Sequence, residues 1–190
     1  MKLINFEKSH DGKHLNTYKL TYENKEGKPK VYEMVSRNHL KSEADLANKV
    51  NGISIVGFKD GKLLLLKEFR MAVNRDIYNL CAGKVEDNET FEECARRELF
   101  EETGLDIEEI LDVLPPCFSA VAISDIKTRL VFAKVGGKIS DHTSPNEQIV
   151  AGLYTKEEVD KMLKTENFSS RGQLVAYCFS KGMFDSMLDY

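Results

Sequence analysis

The sequence has no basic excess, no long apolar run and no paired-cysteine motif, and each absence removes a class of function. Lysine and arginine together number 27 against 31 aspartates and glutamates, a formal net charge of -4. Nucleic-acid-binding domains carry a positive footprint, so no nucleic-acid partner is expected. No apolar stretch approaches the roughly 20 residues needed to cross a bilayer, so no membrane association is expected. Residues 1–10 contain no apolar core of a secretory signal, and none is expected. The four cysteines, at 81, 94, 117 and 178, form no CxxC pair. They suggest no zinc site, and reduced thiols in a cytoplasmic protein are the expectation. The four histidines have no motif around them. What is present is a chain of 190 residues, 42% hydrophobic, enough to build a sizeable core.

Alternating residues 15–22 and 31–35 flank the turn Glu26-Gly27-Lys28-Pro29, which predicts a hairpin within 14–36. A charged, weakly apolar stretch follows at 37–50. A stronger hairpin is predicted from 53–58 and 63–69 around Asp60-Gly61, a favoured two-residue turn. A short strand is expected at 79–83. A helix is expected over 91–103, with Thr90 and Glu93 as a capping box and Gly104 as its stop. Strands are expected at 110–118, 128–135 and 147–154, and helices at 157–163 and 172–179. This order reads as α/β or α+β, and it leaves strand order open. The division falls at residue 51: an N-terminal strand region, 1–50, precedes the main domain, 51–190.

The 91–103 helix breaks its own pattern. On a helical wheel Phe91, Cys94, Ala95 and Leu99 gather into one inward stripe. Glu98 and Glu102 fall inside that stripe and Glu101 lies on its edge. An acidic pair on a helix is ordinarily a solvated face. Here the pair points at the core, where unpaired carboxylates cost several kcal/mol each and where like charges at i, i+4 repel. A cation resolves both problems. Oxygen ligands alone favour a hard ion, Mg²⁺ or Mn²⁺, over zinc.

The wider spacing is more specific. From Gly83 the chain reads five residues, Glu89, seven residues, Arg97-Glu98-Leu99, one residue, Glu101-Glu102, one residue, Gly104-Leu105. This resembles the Nudix box, G-x5-E-x7-R-E-U-x-E-E-x-G-U with U aliphatic, at all nine defined positions. Lys67-Glu68-Phe69-Arg70 and Cys81-Ala82-Gly83 look like the elements E-Q-x-R and P-A-G of the ADP-ribose pyrophosphatase branch.

The resemblance implies a Nudix-type α/β/α sandwich with a mixed sheet, preceded by the N-terminal hairpin region, which in such relatives serves as a dimerisation arm. It implies a homodimer that hydrolyses, with Mg²⁺ or Mn²⁺, the diphosphate linkage of a nucleoside diphosphate sugar. ADP-ribose, giving AMP and ribose 5-phosphate, is the first expectation. By position, Glu98, Glu102, Glu101 and the carbonyl of Ala82 would hold metal, and Arg97 would anchor the loop through Glu89. Glu147, in the loop after the box, would be the base, and Glu101 a holder of water. Arg37 and Arg70 would contact substrate, although surface salt bridges are as common a role for either. Tyr78 would stack on a base or pack in the core. Two departures bear on substrate, Asn79 where Glu is usual and Ser119-Ala120-Val121 where S-P-G is common, and a third, Pro145 where some relatives are acidic, leaves the base Glu147 with less company. The alternatives are a Nudix enzyme acting on GDP-mannose, coenzyme A or a dinucleoside polyphosphate, or a module that senses a nucleotide without cleaving it.

Overall fold

The computed structural model describes residues 1–188 and divides the chain into two units, residues 1–51 with 116–128, and residues 52–115 with 129 onward. In the first unit β1 (Lys2–Asp11), β2 (Asn16–Glu23) and β3 (Pro29–Ser36) make an antiparallel sheet in that order. The β2–β3 hairpin is the expected one. Its turn is held by Asn24, whose side-chain oxygen accepts the N–H groups of Glu26 and Lys28 at 2.9 Å each, with Gly27 at a φ of 74°. Strand β1 was not anticipated: only Leu3 and Phe6 pack on the unit's core, so the stretch carries no alternation to read. That core is Tyr18, Leu20, Met34 and Leu40. The Tyr18 hydroxyl donates to the Asn38 carbonyl at 3.3 Å and accepts the Leu40 N–H at 2.8 Å. In this way one buried aromatic ties down the charged 37–50 stretch, whose only helical element is a short 3₁₀ turn at Glu43–Asp45.

The second unit is built on the hairpin of β4 (Val50–Lys59) and β5 (Lys62–Arg70). Asp60 and Gly61 have φ values of 50° and 70°, the paired left-handed conformations of a primed hairpin turn. The expected 79–83 strand is two: β6 (Arg75–Asn79) pairs with β5 and β7 (Cys81–Lys84) pairs with β4, so the chain changes its partner strand at Leu80. Helix α1 (Phe91–Thr103) follows, with Thr90 and Glu93 in a reciprocal capping box and Gly104 left-handed at its end. Strand β8 (Leu105–Val113) begins immediately after that glycine, earlier than the expected 110–118. It stops short of Pro115-Pro116, because proline cannot donate to a ladder.

Beyond those prolines, residues 116–128 group with the first unit, whereas the division at residue 51 had left them in the second. Their two-residue strand β9 (Cys117–Phe118) pairs with Lys127 and Thr128, and the Ile123 carbonyl accepts the Val35 N–H of β3 at 2.8 Å. Then come β10 (Lys127–Gly137), β11 (Ile149–Tyr154), α2 (Lys156–Thr165) and α3 (Ser170–Ser180). The mixed sheet of the second unit runs β11-β5-β4-β10-β8.

Four consecutive leucines in β5 explain the layering. Leu64 and Leu66 join a core with Cys94, Ala95 and Leu99 of α1. Leu63 and Leu65 join another with Val159 of α2 and Val175, Ala176 and Phe179 of α3. A strand buried on both faces reads as an unbroken apolar run, and here it lies between helical layers, giving the α/β/α sandwich. Tyr78 belongs to the second core, beside Phe168 and Tyr154. Among the described residues no helix is long and apolar enough to cross a membrane.

Candidate active site

Helix α1 and strand β7 build the site together. Glu98 lies so close to Gly83 that any Cβ at that position would overlap its carboxyl group. Across the ladder, a Cβ on Gly52 would overlap the Gly83 carbonyl oxygen. The box glycine therefore serves close approach of strand to helix, and Gly52 serves that of strand to strand. One turn further along α1, the Glu102 carboxylate accepts the Ala82 N–H at 3.1 Å. Thus β7 supplies a backbone donor to one inward glutamate and a missing side chain to the other.

Burial governs the electrostatics. The Glu102 carboxyl is pushed up to about 8, chiefly by desolvation, with Glu98 and Glu68 adding like charge. The Cys81 thiol and the Ala82 N–H oppose that rise by hydrogen bonding to it. Burial also raises Glu98, against the pull of the Arg97 guanidinium. Burial and the charge on Glu102 hold the Cys81 thiol well above its ordinary value, and burial pushes Cys94 to about 12. Both are thiols at neutral pH and pack as small apolar groups.

Arg97 is the hub of the helix's outer side. Its Nε and Nη2 donate to the two oxygens of Glu89 at 2.8 and 3.0 Å, and Nη2 also donates to the Lys84 carbonyl at 3.1 Å. Nη1 donates to Glu98 at 2.8 Å and to Glu101 at 3.1 Å. The two-point pair holds Glu89 down to about 2 and raises Arg97 above its ordinary value. The loop between β7 and α1 is clamped to the helix by this pair, and the Glu86 N–H adds a donor to Glu89 at 2.9 Å.

The other expected residues are placed less centrally. Glu101 is half exposed and turned to Arg97, not inward with its neighbours. Glu147 sits in an exposed turn before β11, its carboxylate closing on the Ser144 N–H at 3.1 Å and hydroxyl at 2.8 Å. The β11–β5 register, Ile149 opposite Glu68, brings that turn level with the Arg70 end of β5. Arg37 is exposed and belongs to the first unit, just past β3. Among the described residues, no group of three or more histidine, cysteine, aspartate or glutamate side chains is arranged to hold a metal ion. Of the three glutamates anticipated to converge from helical spacing, Glu98 and Glu101 meet at Arg97 Nη1, while Glu102 is turned to the Ala82 N–H.

One residue of the site was missed. Glu68 is 7% exposed, and its charge bears on Glu102. It accepts from Asn79 Nδ2 at 2.6 Å and lies 3.4 Å from Arg70 Nη1. The signal was available in the strand period: Glu68 shares the parity of Leu64 and Leu66, whose side chains face α1. Asn79, a departure from the branch pattern, is thereby the partner of a buried carboxylate.

With this geometry in view, three comparisons bear on the chain. A family model described as NUDIX domain matches residues 48–177. A Caenorhabditis elegans protein named as a nudix hydrolase is 30% identical over 166 residues, covering 85% of this chain and 71% of that protein. The Saccharomyces cerevisiae ADP-ribose pyrophosphatase is 27% identical over 142 residues, 73% of this chain and 60% of its own length. A GDP-mannose pyrophosphatase of Salmonella paratyphi B is 27% identical over 128 residues, 58% of this chain and 66% of its own. The crystal structure of an ADP compounds hydrolase has the same fold, with a TM-score of 0.75 at 18% identity over 98% of this chain and 95% of that one.

Proposed function

Since this chain belongs to the Nudix domain family and is a pyrophosphohydrolase of nucleoside diphosphate derivatives, we propose that its preferred substrate is ADP-ribose, cleaved to AMP and ribose 5-phosphate. The carrying observation is the complete box with Glu98 and Glu102 turned inward beside Gly83 and Ala82. The choice of substrate is supported by the yeast relative's name and by the Arg70 element before the box. GDP-mannose is the second reading, supported by the Salmonella relative.

The inward pair fits a divalent cation. Two like carboxylates share a partly buried face, both held above their ordinary range, and the neighbouring Cys81 sulfur stays a protonated thiol, which leaves oxygens as the ligands the site offers. Such a set suits Mg²⁺, with Mn²⁺ as an alternative. Glu98, Glu102 and the Ala82 carbonyl would hold it, with Glu101 joining on release from Arg97. When bound, the ion supplies the positive charge that lets a diphosphate approach an acidic site.

The chain's own residues do the rest. Arg97 fixes Glu98 and the loop after β7 through Glu89. Arg70 binds diphosphate oxygens, and Arg37 is proposed for the same chemistry. Water attacks one phosphorus as the bridging oxygen departs, and Glu147 takes the proton the water loses. Assembly as a homodimer through residues 1–50, in the cytoplasm, where the four free cysteines stay thiols, belongs to the same reading.

The test is a product-resolved panel of ADP-ribose, GDP-mannose, coenzyme A and dinucleoside polyphosphates with Mg²⁺ and Mn²⁺. Glu102→Gln should lower kcat by about a hundredfold or more, as loss of a group acting at the transition state does. Unchanged turnover in that variant would sink the assignment of the site. Faster cleavage of GDP-mannose than of ADP-ribose would overturn the substrate alone.

A further inference from the structure

We propose that Ser169, Asn79 and Glu68 form a hydrogen-bonded relay that orients the Arg70 guanidinium toward the anionic substrate, a reading that rests on the function proposed above.

Glu68 is a carboxylate with 7% exposure, and so it needs donors. Asn79 Nδ2 supplies one at 2.6 Å, and Arg70 Nη1 approaches the other oxygen at 3.4 Å. A carboxamide can present either end, but here the choice is fixed. Asn79 Oδ1 accepts the Ser169 hydroxyl at 2.6 Å, which leaves only the amide's donors for Glu68. Ser169 is itself held in place. It caps α3, its oxygen accepting the Gly172 N–H at 3.0 Å, and its own N–H donates to the Tyr78 carbonyl at 2.9 Å. A Cβ on Gly172 would come within 2.8 Å of the Ser169 oxygen and 3.3 Å of the Asn79 Cα, so the helix end and β6 are in close contact. The chain of bonds therefore begins at a helix terminus and ends at a flexible arginine that is 55% exposed.

The direction of the relay follows from this rigidity. The Ser169 end is locked by backbone bonds, and the Arg70 end is the one that can move. Arg70 has five N–H donors; contact with Glu68 occupies one, leaving the others for substrate oxygens. Without Glu68 the arginine would have to be ordered at the moment of binding, an entropic cost that falls on affinity. Glu68, Asn79 and Ser169 are positioning residues in this scheme, acting on substrate through Arg70.

The test is a double-mutant cycle on the full chain with Mg²⁺ and ADP-ribose, with thermal unfolding as a control for folding. Glu68→Gln keeps the bond to Asn79 and removes the charge facing Arg70. It should raise KM about tenfold, the worth of one charge-assisted contact, with kcat within about twofold. Arg70→Ala should do the same, and Glu68→Gln placed in the Arg70→Ala background should add nothing. Ser169→Ala should raise KM in the same direction, and Ser169→Thr, which keeps the hydroxyl, should restore it. Independent effects of Glu68→Gln and Arg70→Ala, or a fall in kcat at unchanged KM, would overturn the relay while leaving the hydrolase standing. A wild-type chain that cleaves no nucleoside diphosphate derivative would remove the proposed function and the relay with it.

Discussion

Replacing Glu102 by Gln should stabilise the metal-free protein, and by more as the pH rises. In the fold the Glu102 carboxyl sits at about 8 against an ordinary 4.5, because burial disfavours its charge. A group raised in this way contributes its full stability below about 4.5 and loses it as the pH climbs through 8. Linkage puts the loss at about 1 kcal/mol at pH 5, about 3 at pH 6.5 and about 5 at pH 9. Gln keeps an oxygen for the Ala82 N–H and cannot ionise. The stability gap between variant and wild type should therefore open by about 4 kcal/mol from pH 5 to pH 9, or about 8–16 °C in Tm for a chain of this size. The assay is denaturant unfolding of both proteins in a chelator at those pH values. A gap that stays constant, or closes with rising pH, would refute the claim that Glu102 is buried as an acid. Mg²⁺ added at pH 9 should stabilise the wild type more than the variant, since only the wild type has the charge to neutralise.

Gly83→Ala would push a methyl group into the Glu98 carboxyl. It should cost about 1–3 kcal/mol of stability, as overpacking does, and lower kcat by displacing that carboxylate; unfolding and turnover on the same preparation check both. Glu89, held down to about 2 by Arg97, gives the opposite pH dependence. Its contribution is present above about 4.5 and lost as the pH falls through 2, so Glu89→Gln should be less stable by about 1 kcal/mol at pH 7 and match the wild type near pH 2 in an acid titration.

The parts of this protein legible in sequence are those governed by local chemistry. Thr90, Glu93 and Gly104 mark the ends of α1 because caps satisfy groups within a few residues of themselves. Asp60-Gly61 marks the central hairpin because few residues tolerate two left-handed conformations in succession. Strand β1 was invisible for the converse reason: most of its residues face water, so no period is impressed on them. The early start of β8 was obscured because Leu105 follows directly on the helix stop, and the apolar alternation at Leu105 and Ile107 is too short to stand apart from the box.

The same distinction holds within the site. The sequence alone determined that two glutamates of α1 must face inward, since spacing along a helix dictates direction whatever the helix packs against. The pairing of Arg97 with Glu89 was implied only by the resemblance to the box, and the structure forms it through two bonds. Only the tertiary structure decided what those glutamates meet: the bare Cα of Gly83, the N–H of Ala82 and the charge of Glu68 from a different strand. It also decided that Glu101 turns away to Arg97 and that residues 116–128 join the first unit. These outcomes depend on ladder register and on which partners are free across the fold, quantities that no local pattern encodes.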